Sequence, residues 1–220
     1  MTATVRSLLT QGNGKVGESI HLWSIPAARD DTCPGRSSVC ERHCYARHGR
    51  FLFPAVQDRL QWNYEQSLLD SFAERMTREV LRKGCLVVRV HCSGDFYSAA
   101  YAEKWLAVMR RCPKARFYFY TRSWRLPEVA PVLAEMAALK CCRAWYSVDS
   151  ETGVPDRVPP GVHVAYLQVD DDAQPELVDL MFRVRRLRKR RISLSMVCPS
   201  ETPEGKDRQV NCGSCGKCWR

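Results

Sequence analysis

The chain has 220 residues, of which 45% are hydrophobic and 26% are charged, an ordinary balance for a globular protein. This length suits one sizeable α/β domain or two small ones. A run of about 18 apolar residues, as a membrane-spanning helix needs, is absent from the sequence, and the first residues lack the apolar block of a signal peptide. We therefore expect a cytoplasmic protein with no membrane partner.

The formal net charge is +10, and the densest positive run lies near the C-terminus. Seven of the nine residues from Arg183 to Arg191 are Arg or Lys. Such a run suits a polyanionic partner such as nucleic acid, and it suits equally well a solvent-exposed helix face or counter-charge for thiolates. The run contains no aromatic residues for base stacking, so it does not by itself establish nucleic-acid binding.

Strand and helix patterns alternate along most of the chain. Apolar, β-branched runs predict strands over residues 20–24, 86–90, 116–120, 144–148, 162–167 and 192–197. Helical spacing of apolar residues predicts one long or two broken helices over 54–81, and further helices over 98–111, 127–139 and 175–187. Ser98 is placed to cap the second of these regions, and the Pro- and Gly-rich residues 151–161 read as a loop.

This alternation predicts an α/β fold with a mostly parallel sheet and right-handed crossovers. About six units are two short of a closed eight-stranded barrel, so we predict a partial, open β/α barrel over residues 1–197 and a short Cys-rich tail over 198–220. In such sheets the ligand site lies at the carboxyl ends of the strands. One edge is therefore expected to carry the first cysteine loop, Ser93-Gly94-Asp95, Thr121-Arg122-Ser123, Asp149 and Cys198.

The twelve cysteines need an explanation beyond packing. A reducing cytosol disfavours disulfides, and closely spaced cysteines there indicate metal or cluster ligation. Seven of them form two sets, the loop group (Cys33, Cys40 and Cys44) and the tail group (Cys198, Cys212, Cys215 and Cys218). The other five stand in apolar or strand-like surroundings, where free cysteine is usually a small core hydrophobe: Cys85, Cys92, Cys112, Cys141 and Cys142.

The tail group has two successive two-residue gaps, from Cys212 to Cys215 and from Cys215 to Cys218, which place three thiolates around one small centre. A glycine inside each gap permits the tight backbone that this requires. Cys198 is followed by proline, which is frequent for a remote ligand of a four-iron cluster. We predict a [4Fe–4S] cluster here, with a four-cysteine zinc site as the alternative.

The loop group offers three cysteines with gaps of six and three residues. Three thiolates can hold three irons of a cubane and leave the fourth iron open to a substrate or cosubstrate. His43 or His48 could instead complete a structural zinc site. The sequence therefore predicts a second [4Fe–4S] cluster with one open iron, and zinc stays open as the other metal.

At this point the chain resembles the radical S-adenosylmethionine (SAM) superfamily and, more specifically, the phage "gene product eighty-eight" family. The resemblance covers almost the whole chain. Its matching segments are residues 23–27 (WSIPA), 32–34 (TCP), Cys40, 44–46 (CYA), 88–96 (VRVHCSGDF), 118–123 (YFYTRS), 147–150 (SVDS) and the cysteine tail.

The resemblance implies that the open iron of the loop group chelates SAM and that one electron cleaves it to a 5′-deoxyadenosyl radical. It further implies an electron donor such as ferredoxin or flavodoxin, and a tail cluster that relays electrons or anchors substrate. The implied SAM contacts are Ser93, Gly94, Asp95, Thr121, Arg122, Ser123 and Asp149. Without a cofactor, the same residues would simply form strand-end turns and helix caps.

A second class of function stays open on the sequence alone: a non-enzymatic iron–sulfur or zinc protein that binds nucleic acid or senses redox state. Nothing in the sequence identifies the substrate or a catalytic residue.

Overall fold

The computed structural model describes residues 6–170, 176–184, 186–187 and 196–220. The strands are β1 (Thr10–Gln11), β2 (Ile20–Trp23), β3 (Val87–Val90), β4 (Arg116–Thr121), β5 (Cys142–Val148), β6 (Val162–Gln168) and β7 (Leu180–Arg183). The α-helices are α1 (Ser38–Arg42), α2 (Pro54–Leu68), α3 (Phe72–Arg82), α4 (Ala99–Arg111), α5 (Ala130–Ala137), α6 (Pro203–Asp207) and α7 (Cys212–Cys215).

The strands form one sheet in sequential order from β1 to β7. β1 pairs antiparallel with β2, and every later neighbour pair is parallel. β1 and β7 are not paired with each other, so the sheet is open. The predicted α/β class with a mostly parallel sheet is thus confirmed.

Local chemistry explains where the main helices begin and end. The Ser98 side chain accepts a hydrogen bond from the backbone N–H of Tyr101 and caps α4, as predicted. The helical pattern over residues 54–81 corresponds to two helices, because Leu69 adopts an extended conformation and ends α2. Between β5 and β6, residues 151–161 form no helix or strand, which agrees with the loop predicted there.

The two faces of the sheet differ. Alternate strand residues such as Val88, Val90, Phe117 and Phe119 pack with α3, α4 and α5 in the main hydrophobic core. The residues between them, including Arg89 and Tyr118, point to the opposite side, which we call the inner face. It is covered in part by the C-terminal segment (residues 196–220), whose Cys212, Cys218 and Trp219 contact the inner-face core.

The helix predicted over residues 175–187 is wrong where the structure describes it. Leu180–Arg183 is a strand that pairs parallel with Ala165–Gln168. The apolar residues there do recur at helical spacing, but an open sheet edge on β6 offers a full ladder of backbone hydrogen bonds to this short segment. The strand predicted over 192–197 lies mostly outside the described residues, although Val197 forms a parallel bridge with Met181. The sequence patterns also gave no indication of β1.

Among the described residues, no helix has the length and apolar character needed to cross a membrane.

Candidate metal and cofactor site

The cysteine loop lies across the carboxyl ends of β4 and β5. Gly35 approaches β4 so closely that a side-chain Cβ there would stand 2.5 Å from the carbonyl oxygen of Arg122. Arg125 donates to the carbonyl oxygens of Gly35 and Arg36, at 3.1 Å each. On the β5 side, the Glu151 carboxylate accepts from the backbone N–H of Ser38 at 2.9 Å, at the beginning of α1. The loop is therefore fixed at both strand ends.

A buried ion pair lies under this loop. Arg122 and Asp149 are 2.8 Å apart, with side chains 7% and 0% exposed. Asp149 also accepts a 2.6 Å hydrogen bond from the Ser37 hydroxyl, and Ser37 accepts in turn from the backbone N–H of Cys40. This chain of contacts sets the position of Cys40 relative to the strand ends.

The three thiols of the loop group lie near one another and near the Asp95 carboxylate at the strand ends. Burial raises the pKa of the Cys33 thiol to about 12, and the nearby Asp95, Cys40 and Cys44 act in the same direction. Burial also raises the pKa of Cys40, although the adjacent Arg122 guanidinium opposes this. The Cys33 and Cys40 thiols are thus protonated at neutral pH in the absence of a positive ligand, and binding of a metal would release their protons.

The Ser93-Gly94-Asp95 turn joins the same edge, as the sequence predicts. Ser93 donates to the carbonyl oxygen of Ile25 at 2.8 Å, which ties the end of β3 to the segment after β2. Asp95 accepts from the Thr121 hydroxyl at 2.6 Å and from the backbone N–H of Arg122 at 2.8 Å. Burial raises the pKa of Asp95, while these hydrogen bonds oppose the shift.

The structure therefore brings the loop group together with every other residue predicted for this edge except Cys198. Thr121 accepts from the backbone N–H of Ser123 at 2.9 Å, and Ser123 is fully buried behind it. A network of direct contacts links Asp95, Thr121 and Ser123 on one side and Arg122 with Asp149 on the other. That these residues contact a cofactor stays a prediction. In the structure, their contacts hold the cysteine loop at the strand ends.

Gly94 supports a stability prediction. It has φ +80°, and a Cβ there would stand 2.2 Å from Cγ1 of Ile25 and 2.9 Å from the carbonyl oxygen of Pro26. We expect Gly94→Ala to lower the free energy of unfolding by roughly 2–4 kcal/mol, from backbone strain plus the clash. Gly84→Ala is the matched control, because Gly84 has φ +59° but open space around it, and it should cost about 1 kcal/mol. Equal losses in chemical denaturation would contradict the close approach.

The tail group lies on the inner face and not on the carboxyl edge, which corrects the expected position of Cys198. Cys198 packs near Trp145, Ala165 and Leu180, and Cys212 contacts the core that contains Ile20. All four cysteines of the tail group line one shallow, open cavity together with Leu180, Pro199, Ser200, Asn211 and Lys217. The chain thus gathers four thiols that are up to twenty positions apart in sequence.

The backbone around the tail group is held by the loop before β2. Gly213 donates to the carbonyl oxygen of Val16 at 2.9 Å, and Gly17 touches Gly213 closely enough that a Cβ on it would stand 3.1 Å from the Gly213 Cα. Asn211 and Ser214 form a reciprocal capping box at the start of α7. The indole N–H of Trp145 donates to the carbonyl oxygen of Cys218 at 3.0 Å.

Polar and charged groups surround these four thiols. Burial raises the pKa of Cys212, and the positive charges of Arg89 and Lys15 oppose it. Burial raises the pKa of Cys218 to about 11, and the nearby Tyr120 hydroxyl opposes this shift. A set of thiolates would therefore find cations and a hydroxyl donor in place around it.

Sequence reasoning missed the inner-face residues between the two groups. Arg89 lies over the rings of Tyr118 and Tyr120, at 5.9 Å and 5.8 Å, and its Nε is buried without a hydrogen-bond partner in the described part of the chain. Cys92, predicted as a core hydrophobe, lies near Arg89 and Cys212. The available signal was an arginine inside the otherwise all-valine strand β3.

The basic run is only partly described, and its described members are engaged within the fold. Arg183 is 1% exposed and donates to the carbonyl oxygen of Leu187 at 2.9 Å. Arg186 forms an ion pair with Asp170. Arg185 and residues 188–191 lie outside the described residues, so nucleic-acid binding by the run stays a prediction.

No group of three or more His, Cys, Asp or Glu residues in the described ranges is placed so that it could hold a metal ion directly. The fold and the two sets of thiols define an α/β protein with an open sheet, three cysteines at its carboxyl edge and four on its inner face.

The chain belongs to the Gene product 88 family, whose family model matches residues 3–220. It is 25% identical over 221 aligned positions to the Gene 88 protein of Mycobacterium phage L5, covering 94% of this chain and 85% of that relative. It is 27% identical over 174 positions to the Gene 88 protein of Mycobacterium phage D29, covering 71% of this chain and 68% of that relative. No solved structure matches the chain.

Proposed function

We propose that this protein is an iron–sulfur enzyme of the radical SAM type, with one [4Fe–4S] cluster on the loop group and a second on the tail group. The proposal rests on the positions of seven cysteines. Three lie near Asp95 and Arg122 at the carboxyl edge, and the other four line one cavity. The sequential order of six parallel strands supports a partial β/α barrel, in which the carboxyl edge is the usual place for chemistry.

The loop group fits an open cluster by its donor set. Cys33, Cys40 and Cys44 would hold three irons, and no histidine is needed. When bound, such a cluster supplies the electron that cleaves SAM. Arg122 and Asp149 would then position one cluster ligand, since their contacts fix the N-terminal end of α1 and with it Cys40.

The tail group fits a fully ligated cluster. Cys198, Cys212, Cys215 and Cys218 would bind it, and Arg89 with Lys15 would offset the negative charge of the four thiolates. A four-iron cluster is itself broad and keeps its thiolates further apart than a zinc ion does, since Zn–S bonds are only about 2.3 Å long. The absence of a closely spaced single-ion site in the described residues is compatible with this donor set.

The proposal is tested on the full chain purified and reconstituted without oxygen. We expect about eight iron atoms and eight sulfides per chain, and formation of 5′-deoxyadenosine from SAM in the presence of dithionite or a flavodoxin-type donor. Cys40→Ala should abolish this product and remove about half of the iron. Cys215→Ala should also remove about half of the iron, but from the other site.

Three outcomes would contradict parts of this scheme. Stoichiometric zinc without sulfide would overturn the clusters. Intact clusters with neither SAM binding nor 5′-deoxyadenosine would overturn the enzyme and leave a non-catalytic iron–sulfur protein. Complete loss of iron in both single variants would mean that the seven cysteines form one shared site.

A further inference from the structure

A surface next to the loop group combines exposed apolar rings with positive charge. The segment at residues 42–53, which we call the aromatic–basic segment, runs from the end of α1 to the start of α2. In it Tyr45 is 57% exposed, Leu52 60% and Phe53 58%. These are large apolar side chains left in water on a chain that buries most others, and such a patch marks an interaction surface.

The same segment is strongly basic. Arg42, Arg47, His48 and Arg50 are all exposed. Arg47 has a 3.7 Å contact with Glu41, whose carboxylate is shared with Arg36. Arg42 and Arg50 form no ion pair with any described residue, so their charges are available to a polyanion.

The Tyr45 ring is held in place by two contacts, and the backbone of Phe53 is restricted. The Tyr45 hydroxyl donates to the carbonyl oxygen of Cys92, and its ring packs edge to face against Phe51 at 5.8 Å. Phe53 immediately precedes Pro54, the first residue of α2, so its backbone is fixed and the positive end of that helix dipole is close by. A ring that is already ordered loses little conformational entropy when a planar group stacks on it.

We propose that the aromatic–basic segment binds single-stranded nucleic acid, with bases stacked on Tyr45 and Phe53 and phosphates near Arg42 and Arg50. Rings interleaved with arginines are the combination that single-strand sites use, because every base has a face that can stack and every phosphate a charge. The chain's net charge of +10 attracts such a partner from a distance. An acidic protein would pair with the arginines but lacks the flat bases that stack on both faces of an exposed ring.

The position of the segment gives the binding a consequence. Tyr45 directly follows Cys44, so a base stacked on it lies beside the loop group. If the enzyme proposal holds, a nucleotide is then the substrate class that this surface delivers to the site. The binding itself does not depend on that proposal, because the arginines and rings act without metal.

Binding is measured by fluorescence anisotropy on the full chain, with labelled oligo(dT) and oligo(rU) of about 15 nucleotides. We expect Phe53→Ala to weaken binding about tenfold, since one stack is worth about 1–3 kcal/mol and each 1.4 kcal/mol is a factor of ten. Phe53→Trp should preserve it. Affinity should be measured between about 50 and 200 mM salt. Over this range Arg50→Ala should make the slope of log affinity against log salt concentration shallower, by about the amount that one phosphate contact contributes. The ratio of dT to rU affinity identifies DNA or RNA as the preferred strand.

Matched controls lie on α3, where Leu81 is 62% exposed and the Arg78 side chain 71% exposed. Leu81→Ala and Arg78→Ala should each change the affinity by less than about twofold. Photo-crosslinking with a 4-thiothymidine oligonucleotide should label residues 42–53, and this readout does not depend on any variant folding.

Several results would overturn the proposal. One is no binding at low salt, and another is crosslinking at the basic run of residues 183–191 in place of the aromatic–basic segment. Equal affinity of Phe53→Ala and the parent chain would be a third. If poly-L-glutamate of equal charge competed as well as oligo(dT), the surface would recognise acidic chains in general, which also contradicts the proposal. If the unsubstituted chain bound oligonucleotides but did not cleave SAM, the result would contradict only the enzyme proposal.

Discussion

Asp149→Asn is expected to lower the free energy of unfolding by about 3–5 kcal/mol, the usual cost of removing one partner from a buried ion pair. Asp149 is fully buried, and its loss leaves the Arg122 guanidinium, 7% exposed, without a carboxylate. Asparagine has one acceptor oxygen where Asp149 uses two, one for the Ser37 hydroxyl and one for the backbone N–H groups of Glu151 and Thr152. The effect therefore combines the missing charge with the loss of one acceptor. Urea denaturation of the metal-free chain measures it directly.

The same substitution should loosen the cysteine loop. Because Ser37 connects Asp149 to the backbone N–H of Cys40, we expect thiol-specific reagents to react several-fold faster with Cys40 in the variant. Glu135→Gln is the control, since Glu135 forms a comparably short 2.7 Å ion pair with Arg110 on the surface and should cost about 0–1 kcal/mol.

A double variant separates the cost of one unpaired buried charge from the cost of losing the contacts of the ion pair. Arg122→Met combined with Asp149→Leu removes both buried charges, and its loss of stability should be smaller than the sum of the two single losses. If Asp149→Asn cost no more than Glu135→Gln, the ion pair would not be what holds the loop, and its contacts would be incidental.

The strand positions followed from the sequence because the sheet is parallel and buried. β3, β4 and β6 are short apolar runs between turn signals, and such runs leave little choice of structure. The carboxyl-edge site followed from the same fact, since parallel strands deliver the residues after β3, β4 and β5 to one edge. The sequence alone therefore groups Asp95, Thr121 and Asp149 at this edge.

Other features needed tertiary information. The apolar spacing around β7 fits a helix, and only the exposed ladder of β6 makes it a strand. The position of the tail group depends on the hydrogen bond from Gly213 to Val16, a contact across the whole chain that local patterns do not encode. In the sequence, Arg89 only interrupts an apolar strand. The structure shows that its guanidinium lies over the ring of Tyr118 and near the Cys212 thiol.

The second large effect concerns the tail group. Removing the proposed tail cluster, or replacing one of its proposed ligands as in Cys215→Ala, should release the C-terminal segment, because a site assembled from distant ligands links metal binding to folding. The amides of Cys215 and Gly216 donate to the carbonyl oxygens of Asn211 and Cys212, at 2.9 Å and 3.1 Å, so their hydrogen exchange reports on α7 directly. We expect their exchange to accelerate at least about tenfold, equivalent to about 1.4 kcal/mol or more of lost protection.

Cys112→Ala is the control for the tail variant, because Cys112 is 2% exposed in the main core and belongs to neither group. It should lower stability modestly, as loss of a small core side chain does, and leave the metal content and the exchange of α7 unchanged. Unchanged exchange in Cys215→Ala would instead mean that the contacts with Val16 and Trp145 hold the segment alone. The four thiols lining the cavity would then have no part in holding the C-terminal segment, and the case for a tail cluster would rest on iron analysis only.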